Sequence, residues 1–114
     1  MSYESMESQV AVLEPPAASS QPALRHEKEP GKVSLFPIGE SIRIGRHPYN
    51  EVSVGDNSMS RFHCWVSKDH DKIIIEDLGS SNGTLVNGTA IEEPTTLKPG
   101  DRVTVGQSDF DFAA

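Results

Sequence analysis

From Pro22 onward, turn-forming residues interrupt this chain so often that only short extended segments fit between them. Glu29-Pro30-Gly31, Asn82-Gly83, Asn87-Gly88 and Pro99-Gly100-Asp101 are the plainest breaks. Pro presets the φ of a turn, and Gly and Asn tolerate positive φ, so each can reverse the chain. No interval carries the i, i+3, i+4 apolar spacing of an amphipathic helix. The intervals alternate or are β-branched instead. Strand candidates are Ala23 to His26, Val33 to Ile38, Ser41 to Ile44, Val52 to Val54 and His63 to Ser67. Lys72 to Asp77, Thr84 to Val86, Thr95 to Leu97, Arg102 to Val105 and Asp109 to Phe112 follow. Ile73-Ile74-Ile75 suits a buried strand. The first candidate, with Arg25-His26, is short and polar and is expected to pair only weakly. About ten short strands in one small domain predict an all-β antiparallel sandwich. Loops of a sandwich gather at its two ends, so motifs far apart in sequence can meet in space.

With 114 residues, the chain suits one domain with a modest core. Residues 1–21 hold Glu4, Glu7 and Glu14, no Lys or Arg, and the run Pro15-Pro16-Ala17-Ala18-Ser19-Ser20. Such a segment cannot offset its ordering entropy, so a disordered tail over 1–21 is expected to precede a folded domain over 22–114. The formal net charge of −7 argues against generic binding to nucleic acid or anionic membrane, which both need a positive field. A phosphate ligand fits only if positive charge is concentrated locally. The single cysteine, Cys64, excludes an internal disulfide and a thiolate cage within one chain. It fits a reducing compartment. No apolar run approaches the ~20 residues of a membrane span, and the start has no basic signal-like region. No basic cluster resembles a nuclear-import signal, so the cytoplasm is the expected compartment, with the nucleus left open. No P-loop, H-E-x-x-H or Cys pair is present, and neither cofactor nor metal is expected.

The chemistry concentrates in the loops. Arg46 follows Gly45 at a strand end. Its guanidinium fork matches phosphate oxygens, but it could equally make a surface ion pair with Glu40 or Glu51. Ser60 offers a hydroxyl and Arg61 a second guanidinium, although a serine here can also simply bond its own turn. His63 opens the next strand and reads as a brace for the loop presenting Ser60 and Arg61. In Ser80-Ser81-Asn82-Gly83-Thr84, the Asn82 amide has both donor and acceptor and can clamp a peptide backbone. Asn87-Gly88 reads as a hairpin turn and no more. Ser60 with His63 invites a hydrolase reading, but no G-x-S-x-G elbow is present, so no catalytic residue and no enzyme are expected.

Taken in order, these segments resemble a family. Ile44-Gly45-Arg46, Glu51-Val52, Ser60-Arg61-Phe62-His63, Glu76 to Thr84, Val86-Asn87-Gly88, Gly100-Asp101 and Val105-Gly106 together look like a forkhead-associated (FHA) domain, from about Leu24 to Phe112. The resemblance implies a β-sandwich of about eleven strands that binds phosphothreonine peptides at one end. It implies that Arg46 and Ser60 contact the phosphate, helped by Ser81, that Arg61 adds a contact, and that Asn82 holds the peptide backbone. Gly45, His63, Gly83, Asn87 and Gly88 match positions that shape the loops. The implied partner is a phosphothreonine-containing protein downstream of a Ser/Thr kinase, bound by a monomer acting as an adaptor. A phosphate-independent scaffold of the same fold is the alternative. Ser58 stands where some members carry a basic residue that selects an acidic group after the phosphothreonine. With Asp56 nearby, no such preference is expected. Some relatives bind a phosphothreonine in their own tail. The tail here has no threonine, which favours a separate partner.

Overall fold

A computed structural model describes residues 21–114, so the tail expected over 1–21 lies, but for Gln21, outside the described residues. Among the described residues no helix forms. The strands are β1 (Ala23–Glu29), β2 (Lys32–Pro37), β3 (Ser41–Ile44), β4 (Cys64–Asp69) and β5 (Lys72–Asp77), then β6 (Thr84–Val86), β7 (Thr89–Ala90), β8 (Thr95–Leu97), β9 (Arg102–Val105) and β10 (Ser108–Ala113). They make two antiparallel sheets, one six-stranded in the order β2-β1-β10-β9-β6-β7 and one four-stranded in the order β3-β4-β5-β8.

Side chains alternate between the two faces of a strand, so each inner face supplies every second residue to the core. Ile42 and Ile44 of β3, Cys64 and Val66 of β4, and Ile73 and Ile75 of β5 point inward from one sheet. Leu24, Val103, Val105, Phe110 and Phe112 meet them from the other. Phe110 is completely buried, and burying a side chain of that size stabilises by about 1.5–3 kcal/mol.

Two strand expectations need correction. The first strand is neither short nor weakly paired. It runs seven residues and sits between β2 and β10. Its polar residues find partners that only the folded sheet supplies. His26 bonds the Asp109 carbonyl at 3.0 Å and packs on Phe110, and Arg25 lies within ion-pair reach of Glu27 and Asp111. Val52 to Val54 is not a strand. Val52 makes an isolated parallel bridge to Ile44 and is fully buried there, closing the outer edge of β3. Gly55, at φ 74°, and a turn at Asn57-Ser58 follow it. A two-residue strand, Thr89–Ala90, completes the hairpin after β6. At its tip Asn87 and Gly88 have φ of 52° and 84°, the paired positive values that suit a two-residue hairpin.

The register fixes where function can sit. Ile44 pairs with Cys64, and Cys64 with Asp77, so β3, β4 and β5 all present an end at one level. Thr84 pairs with Val105, and Val105 with Ser108, at the matching end of the other sheet. The segment 45–63, the crossing segment 78–83 and the β9–β10 turn therefore emerge together.

Candidate functional site at the loop end

The backbone builds this site first. Beyond β3 and β4, the two arms of the 45–63 segment stay zipped together. His63 N–H donates to Ile44 O (2.8 Å), Arg46 N–H to Ser60 O (2.9 Å) and His47 N–H to Arg61 O (3.1 Å). The approach at Gly45 leaves no room for a side chain, because an added Cβ would lie 2.2 Å from Arg61 O. Asn50, almost fully buried, bridges the same arms by donating from Nδ2 to His47 O (2.8 Å) and Arg61 O (2.7 Å).

His63 ties this segment to the crossing loop. It is completely buried. Ser60 N–H donates to its Nδ1 at 3.0 Å, so Nδ1 carries no proton and Nε2–H donates to Gly83 O at 2.8 Å. Asp77 organises the crossing loop from the end of β5. Its carboxylate accepts from the N–H groups of Gly79 and Ser80 (both 3.0 Å), from Ser80 Oγ (2.6 Å) and from Thr84 Oγ1 (2.7 Å). Burial by itself would raise its pKa, but these hydrogen bonds outweigh burial and hold it below the ordinary carboxylate value. Gly83, at φ 83°, donates its N–H to Ser80 Oγ at 2.9 Å.

Between the two loops opens a pocket of about 330 Å³, and Arg46, Ser60, Arg61, Ser81 and Asn82 all line it. Arg46 Nε donates to Met59 O at 3.1 Å, which anchors the guanidinium by one corner. Among the described residues neither Arg46 nor Arg61 has a carboxylate partner, whereas Arg25, Lys32, Arg43 and Arg102 all do. Glu51, a possible partner for Arg46, lies beside Arg43 instead, and its Oε1 accepts Arg43 N–H at 2.8 Å. Ser60 Oγ accepts Ser81 N–H at 3.0 Å, so its own proton is left to donate. Asn82 spends one Nδ2 proton on Ser58 O at 2.7 Å, and its other amide proton and Oδ1 make no hydrogen bond among the described residues.

A larger groove of about 750 Å³ adjoins the pocket through Asn57 and Ser58. Glu27, Asp56 and Asp109 outnumber Lys28 in its lining, so it disfavours an anion despite its size. Asn87 and Gly88 stand apart from the pocket, at the other end of β6. Asn87 does more there than turn the chain. Its Nδ2 donates to Asp101 Oδ1 (2.9 Å) and its Oδ1 accepts Arg102 N–H (3.0 Å), tying the hairpin to β9. Cys64 is buried behind the site, where burial pushes its thiol up to about 12 despite a hydrogen bond with Thr84. Among the described residues no group of three or more His, Cys, Asp or Glu is placed to hold a metal ion.

Sequence reasoning assigned no role to Asn50 or Asp77, and used Asp56 only as a negative charge near Ser58. For the two aspartates a signal existed, since Asp-x-Gly-Ser and Asp-x-Ser are sequences in which a carboxylate caps the next turn. For Asn50 none existed, because one of its two carbonyl partners, Arg61 O, belongs to the opposite arm.

A family model described as the FHA domain matches residues 42–106. An FHA domain-containing protein of Arabidopsis thaliana is 41% identical over 72 residues, covering 62% of this chain. The chain spans 19% of that curated relative's length. Among solved structures, one of phosphothreonine-dependent FHA domain interactions superimposes with a TM-score of 0.72 at 26% identity, covering 82% of this chain and 96% of that one. Mycobacterium tuberculosis EmbR, solved with a low-affinity phosphopeptide, gives a TM-score of 0.70 at 26% identity, covering 79% of this chain and 24% of that one.

Proposed function

The chain belongs to the FHA domain family, and on that premise we propose that its loop end reads phosphothreonine on a separate protein, as an adaptor downstream of a Ser/Thr kinase. The observation that carries this reading is the convergence on one open pocket of a donor hydroxyl and two guanidinium groups that have no carboxylate partner among the described residues. The phosphothreonine-dependent interactions of one solved relative and the phosphopeptide held by another support it.

Phosphorylation adds about −1.5 to −2 charge and three strong acceptors. Arg46 presents its free guanidinium edge to two phosphate oxygens, Ser60 Oγ–H donates to another, and Arg61 and Ser81 close the rim. Hydrogen bonds to a charged group contribute about 1.5–3 kcal/mol each, and an unmodified threonine offers these donors nothing comparable. Asn82 uses its remaining amide proton and Oδ1 to hold the backbone beside the phosphothreonine. Ser60 and His63 are not arranged as nucleophile and base, because Nδ1 receives the serine's backbone N–H rather than its Oγ–H. That geometry supports binding rather than turnover. The domain acts as a monomer in the cytoplasm.

Titration with matched phosphothreonine, phosphoserine and threonine peptides, followed by backbone amide NMR, tests the reading. Shifts with the phosphothreonine peptide alone, confined to the segments around Arg46, Ser60 and Asn82, are expected. Arg46→Ala should abolish them while the spectrum stays that of a folded domain. Retained binding in that variant would refute the site.

A further inference from the structure

His47 and Phe62 directly follow Arg46 and Arg61, the two pocket arginines. Their rings stack with centroids 5.1 Å apart and planes 24° from parallel. Tyr49 meets His47 edge-on at 4.8 Å. The Arg43 guanidinium carbon lies 5.9 Å from the centre of the Phe62 ring, and Arg43 pairs across the sheet with Trp65. Arg43 and Trp65 both alternate with buried neighbours, so they share the outward face of β3 and β4. Tyr49 is 78% exposed, Phe62 40% and Trp65 39%, and among the described residues no other Phe, Tyr or Trp is exposed. Leu35, Val33 and Leu78 are the other large apolar side chains exposed among the described residues, so this corner is where the exposed rings gather, and such a cluster marks a place where something docks.

We propose that this corner is a shelf for one aromatic side chain of the phosphorylated partner, carried close to its phosphothreonine. The proposal rests on the phosphothreonine reading above. Continuity along the two arms identifies the occupant: His47 and Phe62 each follow a pocket arginine, and His47 N–H donates to Arg61 O. The surface chemistry selects the side chain. Exposed ring faces and edges pair best with another ring, offset or edge-on, and the Arg43 cation adds to a ring laid over it. A basic side chain would meet Arg43 and Arg61. For an acidic one the Arg43 charge is already faced by Glu51, 4.0 Å away.

Selection from a degenerate phosphothreonine peptide library tests the shelf. The wild-type domain should enrich an aromatic residue at one fixed position, by about threefold to tenfold, the size of one aromatic pair. In Tyr49→Ser and Trp65→Thr, two surface changes that leave the core intact, aromatic-containing peptides should fall to the level of aromatic-free ones. Phosphothreonine binding with no aromatic enrichment, or enrichment that survives both substitutions, would overturn the shelf and leave the phosphate reading standing. Failure of every phosphothreonine peptide to bind would overturn the phosphate reading and the shelf with it.

Discussion

Gly45 is needed for space, and Gly88 for backbone conformation. At Gly88 the hairpin requires a positive φ, and no atom lies within 4 Å of where a Cβ would stand. At Gly45 the carbonyl of Arg61 and the Asn50 amide fill that position, at 2.2 and 2.7 Å. Because both obstacles belong to the zipped arms, relief of the clash must separate Arg46 from Ser60. Gly45→Ala should therefore destabilise by about 1–3 kcal/mol, the usual cost of overpacking, and weaken phosphopeptide binding by at least about tenfold. Urea unfolding and peptide titration on the same variant check both effects. An alanine variant unchanged in both would mean that the close approach does not set the site. At this scale the sequence was informative where a residue type has one dominant use, as with Asn87-Gly88 at a hairpin tip. It was silent on His63's tautomer and on Asn50, because each needs a carbonyl brought from farther along the chain, Gly83 O for His63 and Arg61 O for Asn50.

Among the elements, the two loops that carry the pocket are each tethered by one aspartate. Asp77 holds the crossing loop to β6, as described. Asp56 holds the 45–63 segment to the other sheet, accepting from Ser58 N–H and Oγ, from Gln107 N–H (2.8 Å) and from Ser108 Oγ (2.8 Å). Burial of Asp56 by itself would raise its pKa from 3.8. The hydrogen bonds from Ser58, Ser108 and Gln107 outweigh burial and lower it to about 2. A depressed folded-state pKa means that the stabilisation is fully present above the unfolded value and fades as pH falls through the folded one. Wild-type stability should thus drop between pH 3.8 and about 2, and Asp56→Asn, lacking the ionisation, should drop less over that window. Chemical unfolding across a pH series gives both slopes, and parallel slopes would remove Asp56 from the account. The tethers also show why strands were easier to read than loops. Alternation in Ser41–Ile44 and Arg102–Val105 is local, so it was visible in sequence. Pairing of the polar first strand depends on Asp109 and Asp111, far along the chain, and was misjudged as weak. Val52 reads as a strand by type, yet its one β-bridge is with Ile44.

Across the whole molecule, a cationic pocket sits on an acidic protein. Asp and Glu outnumber Lys and Arg by 17 to 10, giving the net charge of −7. Four of the basic residues in the described part have acidic partners, while Arg46 and Arg61 have none. Over short distances the pocket attracts a dianion. Beyond it, Glu27, Asp56 and Asp109 on the adjoining groove and the overall charge repel one. The two effects differ in range, so salt separates them. Ionic strength of 0.1 M screens exposed charges beyond about 10 Å but leaves contact pairs largely intact. Two peptides sharing one phosphothreonine core, one extended by lysines and the other by glutamates, isolate the long-range part. At low salt the lysine peptide should bind about tenfold more tightly, and the ratio should shrink toward unity near 0.5 M salt. Calorimetry at several salt concentrations measures it. A ratio that ignores salt would place the discrimination in a direct contact, most simply with the acidic groove beside Ser58. A ratio favouring glutamate would mean that the acidic surface has no influence at the mouth of the pocket.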